Sequence, residues 1–265
     1  MNRFICLFIL LFAVSLTPPA SSGQTQQAPS KPATAAHHAT TTHTTHTGTD
    51  PALLHPAMLK ATAPDEYDVK FVTTKGDFVV HVTRAWAPNG ADRFYNLAKH
   101  GFFTNASFFR VVLGFVVQFG MNADPKIEAV WANANIKDDA VKESNKPGTV
   151  TFAQTGRPNT RSTQMFVNLG NNAALDAQNF PPIGQVTSGM EVVQQLYSGY
   201  GDMPEMGGRG PSQDRIASGG KAYLDANFPK LDSIKSAAVT SPAGTTPATP
   251  THKPAAAPTG AKPQS

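Results

Sequence analysis

The sequence predicts a mainly β fold, a closed barrel capped by two helices. Three observations carry that expectation. Short β-prone runs recur through the middle of the chain. Only two stretches show the apolar stripe of a helix. Turn residues such as Thr74-Lys75-Gly76-Asp77 and Asn145-Lys146-Pro147-Gly148 separate the runs.

In residues 67–73, Tyr67, Val69 and Phe71 alternate with Asp68 and Lys70, which gives a strand with one buried face. Gly76 can take the positive φ of a tight turn, and Phe78, Val80 and Val82 then share a face of the returning strand. Pro88 suits the first turn of a helix, Phe94, Leu97 and Ala98 fall on one face, and Gly101 is placed to end it. Further β-prone runs cover 106–112, 115–119, 149–153 and 164–169, and a second helix fits 190–197 with Val192, Val193 and Leu196 inward. Residues 122–147 show little periodicity and read as a long irregular loop.

The ends have a different character. Residues 1–23 carry Arg3, an apolar run and small residues at 20–23, the pattern of a signal peptide, and the run is shorter than a spanning helix needs. The single cysteine, Cys6, lies inside that run, so the mature chain is expected to hold no disulfide. Residues 24–64 are rich in Thr, Ala, Pro and His and read as a disordered linker. Residues 65–231 form the expected folded domain, and 232–265 an expected disordered Pro/Ala-rich tail. The expected location is outside the cytoplasm, periplasmic or secreted, with no stable membrane insertion after cleavage. The net charge of +4 is too small and scattered for nucleic acid.

Three stretches carry the chemistry. The run 108–120 is apolar except for Arg110 and Gln118. A buried cation needs a reason: its head reaches water, it pairs with a distant acid, or it acts on a ligand. A polar loop at 154–163 joins two strands, and loops on a rigid scaffold commonly hold sites. Residues 174–186 present apolar side chains in a Pro-rich turn.

Together these stretches resemble cyclophilins. That family carries Phe-x-Arg-Val-x-x-x-Phe-x-x-Gln-Gly, here 108–119 with Gly120 one place late. It also carries Gly-Pro-Asn-Thr followed by Ser-Gln-Phe-Phe, here Gly156-Arg157-Pro158-Asn159-Thr160 and Ser162-Thr163-Gln164-Met165-Phe166. Leu175-Asp176 and Ile183-Gly184, leading to Gly189-Met190, complete the set in the family's order over residues 67–197. The resemblance implies an eight-stranded antiparallel barrel with two helices and peptidyl-prolyl cis/trans isomerase activity. It implies that Arg110 is the catalytic residue and that Phe115, Val116, Phe166 and Leu175 line a pocket for the proline ring. Gln118 would bond the substrate carbonyl, the Gln154 backbone would hold the peptide, and Ala153 and Gln164 would form the groove wall. The expected partners are proline-containing segments of unfolded or partly folded exported proteins, bound by a monomer. The reaction calls for no cofactor and no metal.

The sequence departs from the family pattern at several places. Phe109 stands where many members have histidine, Ala174 where many have tryptophan, and Phe180 near the place of a pocket histidine. The loop through Arg157 is one residue longer. The altered wall motivates a second reading, a binding or chaperone module that holds Pro-containing segments without turnover. A third is metal binding by His37, His38, His43 and His46, against a solvated linker as the plainer reading. Elsewhere, His81 is expected to face solvent, His100 to meet the last helix carbonyls, Trp86 and Trp131 to pack, and Asp138 and Asp139 to form a solvated acidic pair. The Gly-rich run 202–210 follows no strand and does not read as a phosphate loop.

Overall fold

The computed structural model describes residues 50–241. The stretch read as a signal peptide (1–23), the histidine cluster and residues 242–265 lie outside the described residues.

The alternating run at 67–73 forms β1 (Glu66–Thr73). Gly76, at φ 148°, turns the chain into β2 (Asp77–Thr83), and Thr73 Oγ1 donates to the Gly76 carbonyl at 2.6 Å. The register sets Phe71 opposite Phe78, whose rings stack with centroids 4.7 Å apart. Helix α1 (Pro88–Lys99) follows and buries Ala91, Phe94, Leu97 and Ala98, the stripe expected from its spacing. Gly101, at φ 72°, ends it in the left-handed conformation that glycine takes without a Cβ clash.

Six more strands complete the sheet: β3 (Arg110–Val112), β4 (Val116–Phe119), β5 (Thr149–Phe152), β6 (Met165–Asn168), β7 (Pro182–Ser188) and β8 (Ile234–Thr240). Their order is β3-β4-β6-β5-β7-β2-β1-β8, and every pairing is antiparallel. The sheet curls until its ends meet. Ser107 bridges Ser233, Phe108 N–H donates to the Asp232 carbonyl at 3.0 Å, and Ile234 N–H donates to the Ala106 carbonyl at 2.8 Å. Inside lie Phe71, Phe78, Phe94, Phe103, Phe108 and Phe119 with Val69, Val80, Val117, Val150 and Val167, all buried. Each phenylalanine buried this way contributes roughly 1.5–3 kcal/mol.

The eight-stranded antiparallel architecture agrees with the expectation; the helices do not. Among the described residues there are four α-helices rather than two. Helix α2 (Pro125–Trp131) sits inside the stretch read as a loop. Asp124 caps it by accepting from Lys126 N–H at 2.8 Å, and Pro125 opens it. Seven residues are too few to show a periodic stripe, which explains the misreading. Helix α3 (Met190–Gln194) is shorter than the expected 190–197, and Leu196, beyond its end, is still buried in the barrel core. Helix α4 (Gln213–Asn227) is the longest and was not anticipated. It bends at Gly220, at φ 53°, where a Cβ would stand 2.3 Å from the Ala123 carbonyl oxygen. That close approach docks α4 beside the start of α2.

Residues packed on the barrel extend beyond 65–231 at both ends. Residues 50–64 pack against the barrel: Leu53 is buried, its carbonyl accepts from Trp131 Nε1 at 2.7 Å, and Ala63 N–H donates to Asp92 at 2.9 Å. Asp50 pairs with His100 Nδ1 at 2.7 Å, so that imidazole meets an acid rather than the helix carbonyls. Strand β8 lies in the stretch read as tail. Its composition, Ile-Lys-Ser-Ala-Ala-Val-Thr, is weakly apolar because it is an edge strand, and only Ile234 and Ala237 are buried.

Candidate active site

Alternation in three neighbouring strands builds the site. On β4, Val117 and Phe119 point into the barrel, so Val116 and Gln118 point out. The pairing sets Arg110 of β3 and Phe166 of β6 on either side of Gln118. Arg110, Gln118 and Phe166 thus form a row across the outer face. That face is covered as well, and all four residues of β4 and of β6 are buried. Two covered faces explain why the sequence there reads as nearly continuous apolar residues rather than an alternating strand.

The expected pocket residues come together. Val116, Ala153, Phe166, Leu175 and Phe180 form a buried apolar cluster separate from the barrel core, with half-buried Phe115 against it. The Phe166 and Phe180 ring centroids are 6.0 Å apart. Leu175 enters from a 3-10 turn, Ala173–Gln178, and Phe180 N–H donates to its carbonyl at 3.3 Å. Asp176 holds that turn in place. Its carboxylate accepts from Ser144 Oγ at 2.5 Å, Asn145 N–H at 2.9 Å and Asn145 Nδ2 at 2.7 Å. Burial pushes its pKa up, but the bonds from Ser144 and Asn145 and the Lys146 charge outweigh burial and hold it below the usual carboxylate range.

Arg110 is 3% exposed, and the distant acid allowed by its sequence context is Asp202. Nε donates to Asp202 Oδ1 at 2.7 Å and Nη2 to Oδ2 at 3.1 Å, a bidentate pair across 92 residues. Nη1 donates to Gln118 Oε1 at 3.1 Å, and the guanidinium carbon stands 5.5 Å from the Phe115 ring centre. Gln118 Nε2 donates in turn to Gln164 Oε1 at 2.9 Å. The β5–β6 ladder ends where Ala153 N–H donates to the Gln164 carbonyl at 2.9 Å. Gln154 follows at the splayed end, with its side chain donating to the Gln178 carbonyl at 2.8 Å. All the residues named for the site therefore lie along one outer face.

Behind the 154–163 loop is a buried charged network that sequence reading placed in solvent. The Asp139 side chain is 5% exposed. It accepts from the backbone N–H of Asn89 at 3.0 Å and Gly90 at 2.9 Å at the start of α1, and from Arg161 Nη2 at 3.0 Å. Arg161 is fully buried, and its Nη2 also donates to the Lys137 carbonyl. Asp138 N–H donates to Asn159 Oδ1 at 2.8 Å, while Asn159 N–H donates to Asp138 Oδ2 at 2.9 Å. The acidic pair is thus the buttress of the loop. His81, likewise, is engaged by Asp68 and Glu66, each at 2.7 Å.

Sequence reading also missed Asp202 and Gln213, which reach the site from the segment after α3. No local signal marks them, because their partners are 92 and 49 residues away.

The fold and the site define a β-barrel that carries a buried cation beside a small apolar pocket on its outer face. The family profile described as cyclophilin type peptidyl-prolyl cis-trans isomerase/CLD matches residues 68–218, more than half the chain, and the chain belongs to that enzyme family. Peptidyl-prolyl cis-trans isomerase B of Escherichia coli is 29% identical over 136 residues, 48% of this chain and 82% of that protein. A peptidyl-prolyl cis-trans isomerase-like 1 protein of Aspergillus oryzae is 31% identical over 132 residues, 49% of this chain and 81% of that protein. A Rhizopus delemar peptidyl-prolyl cis-trans isomerase is 32% identical over 130 residues, but the match spans only 20% of that protein. The crystal structure of a Cryptosporidium parvum cyclophilin type isomerase, determined in the presence of the dipeptide Ala-Pro, overlays with a TM-score of 0.49 at 18% identity. That overlay covers 66% of this chain and 99% of the other.

Proposed function

We propose that this chain accelerates cis/trans rotation about X-Pro bonds in proline-containing segments seated along the outer face. The observation that carries the reading is Arg110 itself, a buried guanidinium bonded to Gln118 beside the Phe115, Val116, Phe166, Leu175 and Phe180 cluster.

The chemistry follows from the amide. Delocalisation of the nitrogen lone pair into the carbonyl stiffens the C–N bond, so uncatalysed X-Pro rotation takes tens of seconds. In the twisted state the lone pair returns to nitrogen. A donor aimed at that nitrogen binds the twisted state better than either planar one, which is the requirement for catalysis. Arginine suits this role because it stays charged and its N–H groups form a fixed fork. The apolar cluster grips the proline ring and excludes water, which strengthens the electrostatic interaction. In this reading Gln118 bonds the substrate carbonyl and keeps it still. A gain of about five decades in rate needs roughly 7 kcal/mol off the barrier.

The finer part of the proposal is that the clients are exported proteins, outside the cytoplasm. The signal-like pattern at residues 1–23 supports it. A chaperone-like holding role is the second reading, and the altered pocket wall at Ala174 and Phe180 favours it. Isomerisation of an Ala-Pro peptide by the mature chain and by Arg110→Ala separates the two. Turnover that collapses in the variant establishes the enzyme and its site. Peptide binding without turnover in the unmodified protein establishes the holding role.

A further inference from the structure

We propose that Asp202 and Gln213, both supplied by the segment after α3, are positioning residues for the isomerase reaction: Asp202 fixes the Arg110 fork and Gln213 fixes the glutamine pair beside it. The inference rests on the isomerase reading above.

Hydrogen bonds starting at Arg110 close on themselves. One arm is direct, from Nε and Nη2 to the Asp202 carboxylate at 2.7 and 3.1 Å. The other runs from Nη1 to Gln118 (3.1 Å), from Gln118 to Gln164 (2.9 Å), and from Gln164 to Gln213 Oε1 (2.9 Å). Gln213 Nε2 then donates to the Met203 sulfur at 3.0 Å, and Met203 N–H donates to Asp202 Oδ1 at 2.8 Å. Each of the three glutamine amides has both its donor and its acceptor side engaged, so the ring specifies one orientation for all of them. Rotating any member breaks two bonds.

The ring is held from behind. Met203 and Ile216 are buried with Phe109, Met121 and Leu224 in a second apolar cluster. The Gly-rich run 202–210 compacts the loop so that Asp202 faces Arg110. Gly210 N–H donates to the Asp202 carbonyl at 2.8 Å, and a Cβ on Gly208 would stand 2.0 Å from that same oxygen. These glycines therefore serve close backbone packing. Gly207, at φ 79°, makes the turn.

Asp202 acts on Arg110 and not on the apolar pocket, which predicts where the kinetic effect falls. The pocket holds planar and twisted substrate alike, whereas the bond from Arg110 to the imide nitrogen gains strength only on twisting. Losing the carboxylate frees the fork to turn away and lowers kcat while leaving KM alone.

The test measures kcat and KM for an Ala-Pro peptide with the mature full-length chain, Asp202→Ala, Asp202→Asn and Gln213→Ala. Asp202→Ala is expected to lose about 10- to 100-fold in kcat with KM within about twofold. Asp202→Asn keeps one oxygen for Nε and for Met203 N–H, so it is expected to recover part of the loss. Gln213→Ala is expected to lose less than Asp202→Ala, again in kcat. Wild-type kcat in both Asp202 variants overturns the proposal while the isomerase reading stands. A loss confined to KM, or equal losses in Asp202→Ala and Asp202→Asn, also overturns it. Should Asp202→Ala fail to fold, the near-isosteric Asp202→Asn decides alone: a kcat loss at constant KM upholds the proposal and an unchanged kcat rejects it. No turnover in the unmodified chain rejects the isomerase reading and this inference with it.

Discussion

Phe109 and Met203 are buried in the same apolar cluster, 1% and 0% exposed. Phe109 is the neighbour of Arg110 and stands where many members of the family have histidine. The reason is local: the segment after α3 folds over this position and brings Met203, Ile216 and Leu224 against it. An imidazole there would lose its water inside a mainly apolar cluster.

Phe109→His should therefore act on stability rather than on chemistry. We expect a loss of about 2–4 kcal/mol in urea denaturation at pH 8, where the imidazole is neutral. Turnover per folded molecule should stay within about threefold, since Arg110 keeps Asp202 and Gln118. A variant as stable as the wild type would show that the cluster is not closed over residue 109.

Ala174 makes a second departure testable. It is exposed on the Ala173–Gln178 turn, beside Leu175 of the apolar cluster. In the family this place often holds a tryptophan that helps bind the cyclic peptide cyclosporin, so the chain is expected to bind cyclosporin weakly. Ala174→Trp adds a large ring at the pocket edge and should tighten binding at least about tenfold in a calorimetric titration. Tight binding by the wild type would refute the argument.

The differences in legibility have physical causes. Residues 67–119 could be read because strands and α1 carry alternating or 3.6-residue patterns, and because the site's row lies on strands adjacent in the sheet. Val116, Phe166 and Leu175 could be named because they sit within motifs, Ala153 and Phe180 because they flank them. Asp202 and Gln213 could not, since a bond across 92 or 49 residues leaves no local trace. Asp139 looked solvated because a charged pair in a polar loop usually is; its burial depends on α1 presenting Asn89 and Gly90 N–H groups to it. Strand β8 looked like tail because an edge strand needs few large apolar residues.

That last misreading has an experimental consequence. A fragment of residues 65–231 lacks β8, which pairs with β1 from Asp68↔Thr240 to Thr73↔Ile234, and lacks Leu53 beneath Trp131. Opening one edge of β1 and removing the seam at Ser107–Ser233 should exceed the roughly 5–15 kcal/mol that holds such a domain folded. We expect no cooperative melting transition from 65–231 by circular dichroism. A 50–241 fragment should melt within about 2 °C of the mature chain. Cooperative unfolding of 65–231 would show that β8 is dispensable.

Glu128 on α2 gives the fold a pH dependence. The residue is 4% exposed, and burial pushes its carboxyl pKa up to about 7 against the opposing bond from Asn122 N–H at 2.6 Å. The charged groups facing the same groove are Arg157, Glu205 and Asp214. Below pH about 4.5 the group is neutral in both folded and unfolded chains, and it contributes nothing. Between there and pH about 7 the unfolded chain releases the proton while the folded chain keeps it. The folded state then binds more protons, so this residue's contribution to stability falls as pH rises and levels off above 7. Glu128→Gln keeps an acceptor for Asn122 N–H and removes the titration. The variant should match the wild type near pH 4 and exceed it by about 3 kcal/mol at pH 8. Urea denaturation across pH 4 to 8 reads the difference. A gap that stays constant with pH would mean that Glu128 titrates alike in both states, and that water reaches its carboxyl in the folded protein.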